Sequence, residues 1–184
     1  MKSHVWVVLA AAFAASEAPA QHAQPYAGQQ TRAIKALSDA EVDDLLAGRG
    51  AGLARAAELN GYPGPMHVLE HADALKLTPQ QRAATEALMA PMRAAAQKHG
   101  AAVVAAEREI DAMFAKATVT AESLRAKLDE AAAAQARVRQ AHLDAHLAQR
   151  AILTPEQIAA YAVLRGYVGG PLRDANSGQH QRHH

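Results

Sequence analysis

Leu77-Thr78-Pro79-Gln80-Gln81 and Leu153-Thr154-Pro155-Glu156-Gln157 are two copies of one pattern, Leu-Thr-x-x-Gln. In each copy the threonine suits the N-cap of a helix, the proline suits its first position, and the glutamine can bond back to the cap. The leucine before each cap can close the turn as a hydrophobic staple. One copy would occur by chance in many helical proteins, whereas two copies around a long helical stretch are far more specific.

Between the two copies, the sequence predicts two long helices joined by a very short connection. The first runs over about 79–116, with an apolar stripe at three- and four-residue spacing and Pro91 as the expected kink. Thr120 caps the second, which runs over about 121–152 and carries a matching stripe that includes Leu128. Because the connection is so short, the two helices should form an antiparallel hairpin. The predicted fold class is therefore all-α.

Shorter helices are expected on either side of this hairpin. Ser38 opens a capping box, and short helical stretches follow at 53–59, at 66–75 and, after the hairpin, at 155–165. The expected organisation is a signal peptide at 1–20, a disordered leader at 21–37, short N-terminal helices at 38–60, a helical domain at 62–167 and a disordered His-rich tail at 168–184. A partner hairpin can cover the exposed flank of each Ala-rich helix, which predicts a homodimer.

The N-terminus has the pattern of an exported protein. Lys2 precedes an apolar run over 5–15, and Ala18-Pro19-Ala20 supplies the small residues that a signal peptidase reads, so cleavage is expected after Ala20. The apolar run is too short to span a bilayer. The chain has no cysteine, which excludes a lipoprotein anchor, a disulfide framework and a thiolate metal site. These features predict a periplasmic protein without a membrane span.

Composition and motifs argue against nucleic-acid binding and against catalysis. The chain carries 19 basic and 18 acidic side chains, so no global charge favours nucleic acid. The glycines at 48–52 lack the lysine of a phosphate-binding loop, and no Ser-His-Asp constellation is apparent. His67-Val68-Leu69-Glu70-His71 fits the His-x-x-Glu-His signature of inverted zinc proteases, but those enzymes need a third ligand and a larger α/β body. We expect no enzyme activity.

The two motifs, the hairpin between them, the leader and the lack of cysteine together resemble the Spy/CpxP family of periplasmic proteins. The resemblance covers about 62–167, while the stretch 31–60 is extra. It implies a cradle-shaped, all-helical homodimer and a structural role for the motif residues Leu77, Thr78, Gln81, Leu153, Thr154 and Gln157.

Two functions follow from this resemblance. The first is an ATP-independent chaperone or envelope-stress protein that binds unfolded or misfolded clients on the helical cradle. The alternative is a heavy-metal sensor or resistance protein, with a membrane sensor as a candidate partner. Charged side chains along the hairpin suit the first function, although amphipathic helices commonly carry such charges on their solvated faces.

Two pairs of histidines supply a candidate site for the alternative function. In each pair the imidazoles are one helical turn apart and face the same way, and the hairpin is expected to bring both pairs to its open end. No cofactor is required, but a zinc or copper ion is a candidate ligand, and copper suits the nearby methionines better. The same histidines would equally suit partly buried positions without a ligand. The candidate metal ligands are His67, His71, His142 and His146, with Met89 and Met92 as neighbouring soft ligands.

Overall fold

The computed structural model describes residues 24–168, so the expected signal peptide at 1–20 and nearly all of the expected tail lie outside the described residues. The helices are α1 (Asp39–Ala47), α2 (Arg55–Glu58), α3 (Pro65–Glu70), α4 (Pro79–Ala115), α5 (Ala121–Ile152) and α6 (Pro155–Leu164). They belong to a unit that begins at Arg32, and a 3-10 turn at Gln29–Thr31 belongs to a separate one. Among the described residues there is no strand, and the all-α prediction is confirmed.

Helix starts in the structure follow the capping signals of the sequence. The side chains of Ser38, Thr78, Thr120 and Thr154 each accept a hydrogen bond from the amide three residues on, and each third residue bonds back to its cap. Gly48 ends α1 in the left-handed conformation, with φ at 67°. The cap is a contact between residues four positions apart at most, which is why the sequence pattern predicts these boundaries well.

Helices α4 and α5 pack against each other as the antiparallel hairpin that the sequence predicts. Ala117 takes a positive φ of 52° in the short turn between them. On the turn side, Lys127 of α5 bonds to Glu109 of α4 at 2.5 Å and to Glu130 at 2.7 Å. Helix α4 continues as one element through Pro91.

The buried stripe of each long helix differs in part from the predicted one. Leu128 was expected in the seam but is 50% exposed, whereas Gln149 is fully buried. On α4 the buried face includes Ala96 and Gly100, next to the expected Ala95 and His99. Periodicity identified the hairpin but missed this shift, because the segment before the hairpin covers an additional face of α4.

Helix α3 is also shorter than expected. The sequence predicts a helix over 66–75, but α3 ends at Glu70 and is followed by turns. Lys76 has a positive φ of 51°, and the amide of Leu77 bonds to the carbonyl of Ala72. This turn brings the chain around so that Leu75 and the first Leu-Thr-x-x-Gln motif meet the end of α5.

Within the described part of the chain, the buried apolar side chains form two small clusters rather than one large core. The open-end cluster contains Val68, Leu75, Leu153 and Tyr161, with Leu77 and Ile158 packed against it. The mid-hairpin cluster contains Val103, Ala134 and Val138, with Leu45, Leu53 and Ala102 packed against it. Because Leu45 and Leu53 come from outside the hairpin, the N-terminal segment completes the second cluster.

Residues 32–37 were expected to belong to a disordered leader, but they pack on the hairpin instead. Ile34 is only 3% exposed. Lys35 donates to the Asp111 carboxylate from its backbone amide at 3.2 Å and from Nζ at 3.1 Å. The sequence of 32–37 by itself gives no sign of this packing, because both hydrogen bonds join Lys35 to a residue 76 positions further along the chain.

Helix α1 crosses α4 at Gly100, where the two backbones nearly touch. A Cβ atom on Gly100 would lie 2.1 Å from the carbonyl oxygen of Leu45 and 2.8 Å from its carbonyl carbon. Such distances are far below van der Waals contact, so α1 can dock here only because position 100 has no side chain.

We expect Gly100→Ala to destabilise the protein although alanine is the better helix former. Helix propensity alone would stabilise α4 by about 1 kcal/mol, whereas the steric conflict with Leu45 should cost about 1–3 kcal/mol and displace α1. Thermal unfolding gives the sign, and amide exchange in α1 reports the displacement. A higher melting temperature with α1 still protected would contradict the close approach.

Candidate functional site

The two Leu-Thr-x-x-Gln motifs meet at the open end of the hairpin through a pair of side-chain amides. Gln81 donates from Nε2 to Oε1 of Gln157 at 2.8 Å, and Gln157 donates from Nε2 to Oε1 of Gln81 at 3.0 Å. The two glutamines are 76 residues apart in sequence and are partly buried together. Two reciprocal hydrogen bonds fix both the distance and the orientation of the motifs.

Every remaining hydrogen-bonding position of this amide pair is also used. The second Nε2 proton of Gln81 goes to the Ile152 carbonyl at 3.0 Å, and that of Gln157 goes to the Leu75 carbonyl at 3.2 Å. Each Oε1 also accepts from the backbone amide of its own N-cap, at 3.1 Å from Thr78 and 3.0 Å from Thr154. The motif therefore caps two helices and joins them in one network.

Sequence reasoning predicted the caps but missed the pairing of the two glutamines. The sequence did hold a sign of this pairing. Both copies have glutamine as the third residue of the helix, Gln81 and Gln157, although glutamate would serve a capping box equally well. Only an amide offers a donor and an acceptor to an identical partner, and two carboxylates would repel each other.

A second polar cluster surrounds Glu58, which sequence reasoning did not single out. Its Oε1 accepts from the hydroxyls of Tyr161 at 2.5 Å and Tyr167 at 2.8 Å, while its Oε2 accepts from the amide of Gly64 at 3.1 Å. The guanidinium of Arg165 lies 3.5 Å from the same carboxylate. Glu58 thus ties the N-terminal segment to α6.

Burial is the main reason that the pKa of the Tyr161 hydroxyl lies far above its ordinary value, and the hydrogen bond to Glu58 adds to it. The hydroxyl therefore stays protonated and acts as a donor to Glu58. This arrangement satisfies a mostly buried carboxylate with hydrogen bonds and a nearby cation. It anchors the chain segment that precedes the hairpin.

Two of the four candidate histidines already have partners. Nδ1 of His146 donates to the Tyr62 carbonyl at 2.7 Å and lies 3.7 Å from Glu58. Nδ1 of His67 donates to Glu70 at 2.8 Å, and this hydrogen bond lowers the pKa of the Glu70 carboxyl. In both His146 and His67, only Nε2 is left to bind a metal ion.

The other two candidates occupy different surroundings. His142 is buried against Gly50, and within residues 24–168 its Nε2 has no hydrogen-bond partner. Burial lowers the pKa of His142, and the nearby His146 lowers it further, so the ring is neutral near pH 7. His71 is half-buried at the end of α3.

The described residues contain no group of three or more His, Asp or Glu side chains arranged to hold a metal ion. The candidate soft ligands Met89 and Met92 are half-buried on α4. The structure therefore places His142 and His146 one turn apart on α5, and His67 and His71 on and just after α3, without assembling the four rings around one point. The metal site stays a prediction.

An open groove along α5 combines apolar and charged side chains. Leu147 is 58% exposed there. The lining includes Leu53, Ala136, Arg139, Leu143, Asp144 and Leu147. Such a mixed surface suits weak binding of extended, partly apolar chains better than recognition of one small molecule.

Comparison with known proteins identifies a family. A family model described as "LTXXQ motif family protein" matches residues 66–165, which is more than half of the chain. No curated protein and no solved structure matches the chain. The matched range begins within α3 and ends just after α6, so it contains both motifs and the hairpin between them.

We expect Gln81→Glu to destabilise the protein although the cap itself is kept. A glutamate there still accepts from the Thr78 amide but donates neither to Ile152 nor to Gln157, which should cost about 1–3 kcal/mol. Gln80→Glu is the matched control, because Gln80 is exposed and its replacement by glutamate adds the same charge in the same helical turn. Urea unfolding measures both, and equal midpoints would contradict a stabilising amide pair.

Proposed function

The chain belongs to the LTXXQ motif family, the family of Spy/CpxP-type periplasmic proteins, and we propose that it is an ATP-independent chaperone or envelope-stress protein that binds unfolded clients on its helical hairpin. The observation that carries the proposal is the exposed apolar surface of the two long helices. Phe114, Leu128 and Leu147 are each at least half exposed. Scattered exposed leucines are ordinary, but Leu147 lines a groove together with Leu143 and the charged Arg139.

The charged side chains of the hairpin suit clients of mixed composition. Arg139 and Asp144 border the α5 groove beside Leu143 and Leu147. Charges attract an unfolding chain over a longer range, and the apolar side chains then hold its exposed hydrophobic segments. Binding of this kind needs no nucleotide, which agrees with the lack of a phosphate-binding motif in the sequence.

We also propose that the protein has no catalytic activity. The family is non-enzymatic. The His-x-x-Glu-His sequence lies at a short helix in which Glu70 is already bonded to His67. A metalloprotease would need that glutamate to activate a water molecule next to a metal.

The proposal places the protein in the periplasm after removal of the leader at 1–20. No helix among residues 24–168 has the length and apolar character needed to cross a bilayer. We also propose that the protein forms a homodimer through its hairpins. Unfolded proteins are its proposed clients, and a membrane sensor is a candidate partner. We propose no nucleic-acid partner.

The chaperone function predicts suppression of aggregation by the protein at an equimolar dose to a heat-stressed client. Leu147→Glu should weaken suppression, because it places a charge in the apolar groove. Leu164→Glu is the control: Leu164 is also exposed, but it lies at the end of α6 and outside that groove. Light scattering follows the client, and a wild-type protein without any suppression would refute the function.

Metal binding is the second candidate function. The buried Nε2 of His142, which has no hydrogen-bond partner among residues 24–168 and lies near His146, favours it. Calorimetry with zinc and with copper should use a chain in which the tail residues His180, His183 and His184 are replaced by serine. The expected dissociation constant lies below about 10 µM, which corresponds to roughly 7 kcal/mol.

The double variant His142→Ala/His146→Ala should abolish this binding, whereas His99→Ala on α4 should not. Absence of binding for both ions in the tail-substituted chain would leave the chaperone function alone. Binding that survives the double variant would place the metal elsewhere.

A further inference from the structure

The segment 32–53 lies outside the part of the chain that matches the family, yet it crosses the hairpin. Helix α1 packs on α4, and the segment continues toward α2, which packs on α5. We name residues 32–53 the strap. Since the match begins at residue 66, the strap precedes the matched range.

The strap covers the apolar seam of the hairpin. Leu45 and Leu53 pack against the mid-hairpin cluster of Val103, Ala134 and Val138. These three side chains are almost completely buried, and the strap supplies the cover on one side. Displacement of the strap would therefore expose a continuous apolar surface that joins α4 to α5.

The strap is held by few strong contacts. Within residues 32–53, Ile34 is the one apolar side chain that is fully buried, and α1 contains no buried residue. The ion pair of Lys35 with Asp111 involves an exposed lysine and contributes little net stability. Elements with shallow burial and exposed polar contacts open at low free-energy cost.

A hinge and an anchor bound this segment at its C-terminal end. Gly48, Ala51 and Gly52 all have positive φ, at 67°, 39° and 82°, so the loop departs from helical geometry three times in five residues. Beyond it, Glu58 is held by the hydroxyls of Tyr161 and Tyr167. Residues 32–50 can therefore swing about Ala51 and Gly52, while the chain from Leu53 to Glu58 stays attached to α6.

We propose that the strap is an intramolecular competitor for the client-binding surface, and that an extended apolar segment of an unfolding protein displaces it from the seam of Val103, Ala134 and Val138. This inference rests on the proposed chaperone function and adds its regulation. A client that exposes enough apolar chain replaces Leu45, whereas a folded protein does not. The covered surface also protects the free protein from self-association.

One experiment locks the strap. In the full chain we introduce Gly50→Cys/His142→Cys, because a Cβ on residue 50 lies 3.9 Å from Cγ of His142, the atom whose place the sulfur of a cysteine would take. The rest of the protein has no cysteine to compete for the disulfide, and loss of free thiols verifies that it has formed. The oxidised form should suppress aggregation of a cysteine-free, heat-stressed client several-fold less well than the reduced form. The reduced form of the same variant is the matched control.

A complementary experiment releases the strap. Leu45→Ala removes an anchor from the mid-hairpin cluster, whereas Leu46→Ala makes the same change at the neighbouring, exposed leucine. Leu45→Ala should raise the released population about tenfold, the equivalent of ~1.4 kcal/mol. Faster amide exchange in α1, more binding of an apolar dye and stronger client suppression should follow, while exchange in α5 shows that the hairpin stays folded.

The outcomes separate this inference from the function on which it rests. Stronger suppression by Leu45→Ala than by Leu46→Ala, together with weaker suppression by the oxidised lock, supports both. If the wild type suppresses aggregation and all variants match it, the function stands and the strap proposal is overturned. If neither the wild type nor a demonstrably released Leu45→Ala protein suppresses aggregation, the chaperone function fails and the strap has no client to compete with.

Discussion

The reciprocal amide pair of Gln81 and Gln157 is the contact on which the rest of the structure depends. It joins the start of α4 to the start of α6, and its spare protons hold carbonyls at Leu75 and Ile152. A partly buried amide without partners would cost about 1–3 kcal/mol, so the pair is stable only when both motifs are in place. The open end of the hairpin is thereby closed, and Leu153 and Tyr161 can be buried beside it.

The small side chains along α4 and α5 explain why residues from outside the hairpin pack onto its surface. Many of the buried side chains on the two long helices are alanines, which bury little apolar area: Ala96, Ala106, Ala131, Ala134 and Ala145. The mid-hairpin cluster is completed by leucines from outside the hairpin, and at Gly100 the absence of a side chain admits the backbone of α1. A thin seam of this kind is stabilised by any apolar chain that covers it, which is the physical basis of the proposed client binding.

Polar contacts determine how firmly each segment outside the hairpin is attached to it. Glu58 is held by two tyrosine hydroxyls and a backbone amide, so the chain near α2 is firmly attached to α6. The strap at 32–53 has mainly half-buried leucines and an exposed ion pair. The difference between these two attachments is the physical basis for a segment that can leave the seam without leaving the protein.

The helix starts, the hairpin and the family resemblance could be predicted from the sequence, because a capping box is a contact within four residues and a short connection forces neighbouring helices to be antiparallel. The partner of Gln81 and the tyrosine partners of Glu58 could not, since these contacts join residues 76 to 109 positions apart. The sequence places the candidate histidines in two pairs, each one helical turn apart, but whether the two pairs face one ion depends on how the helices pack. Helix caps and turns depend on residues that are neighbours in sequence, so the sequence alone determines them. Contacts between residues far apart in sequence depend on how the helices pack, so only the tertiary structure determines them.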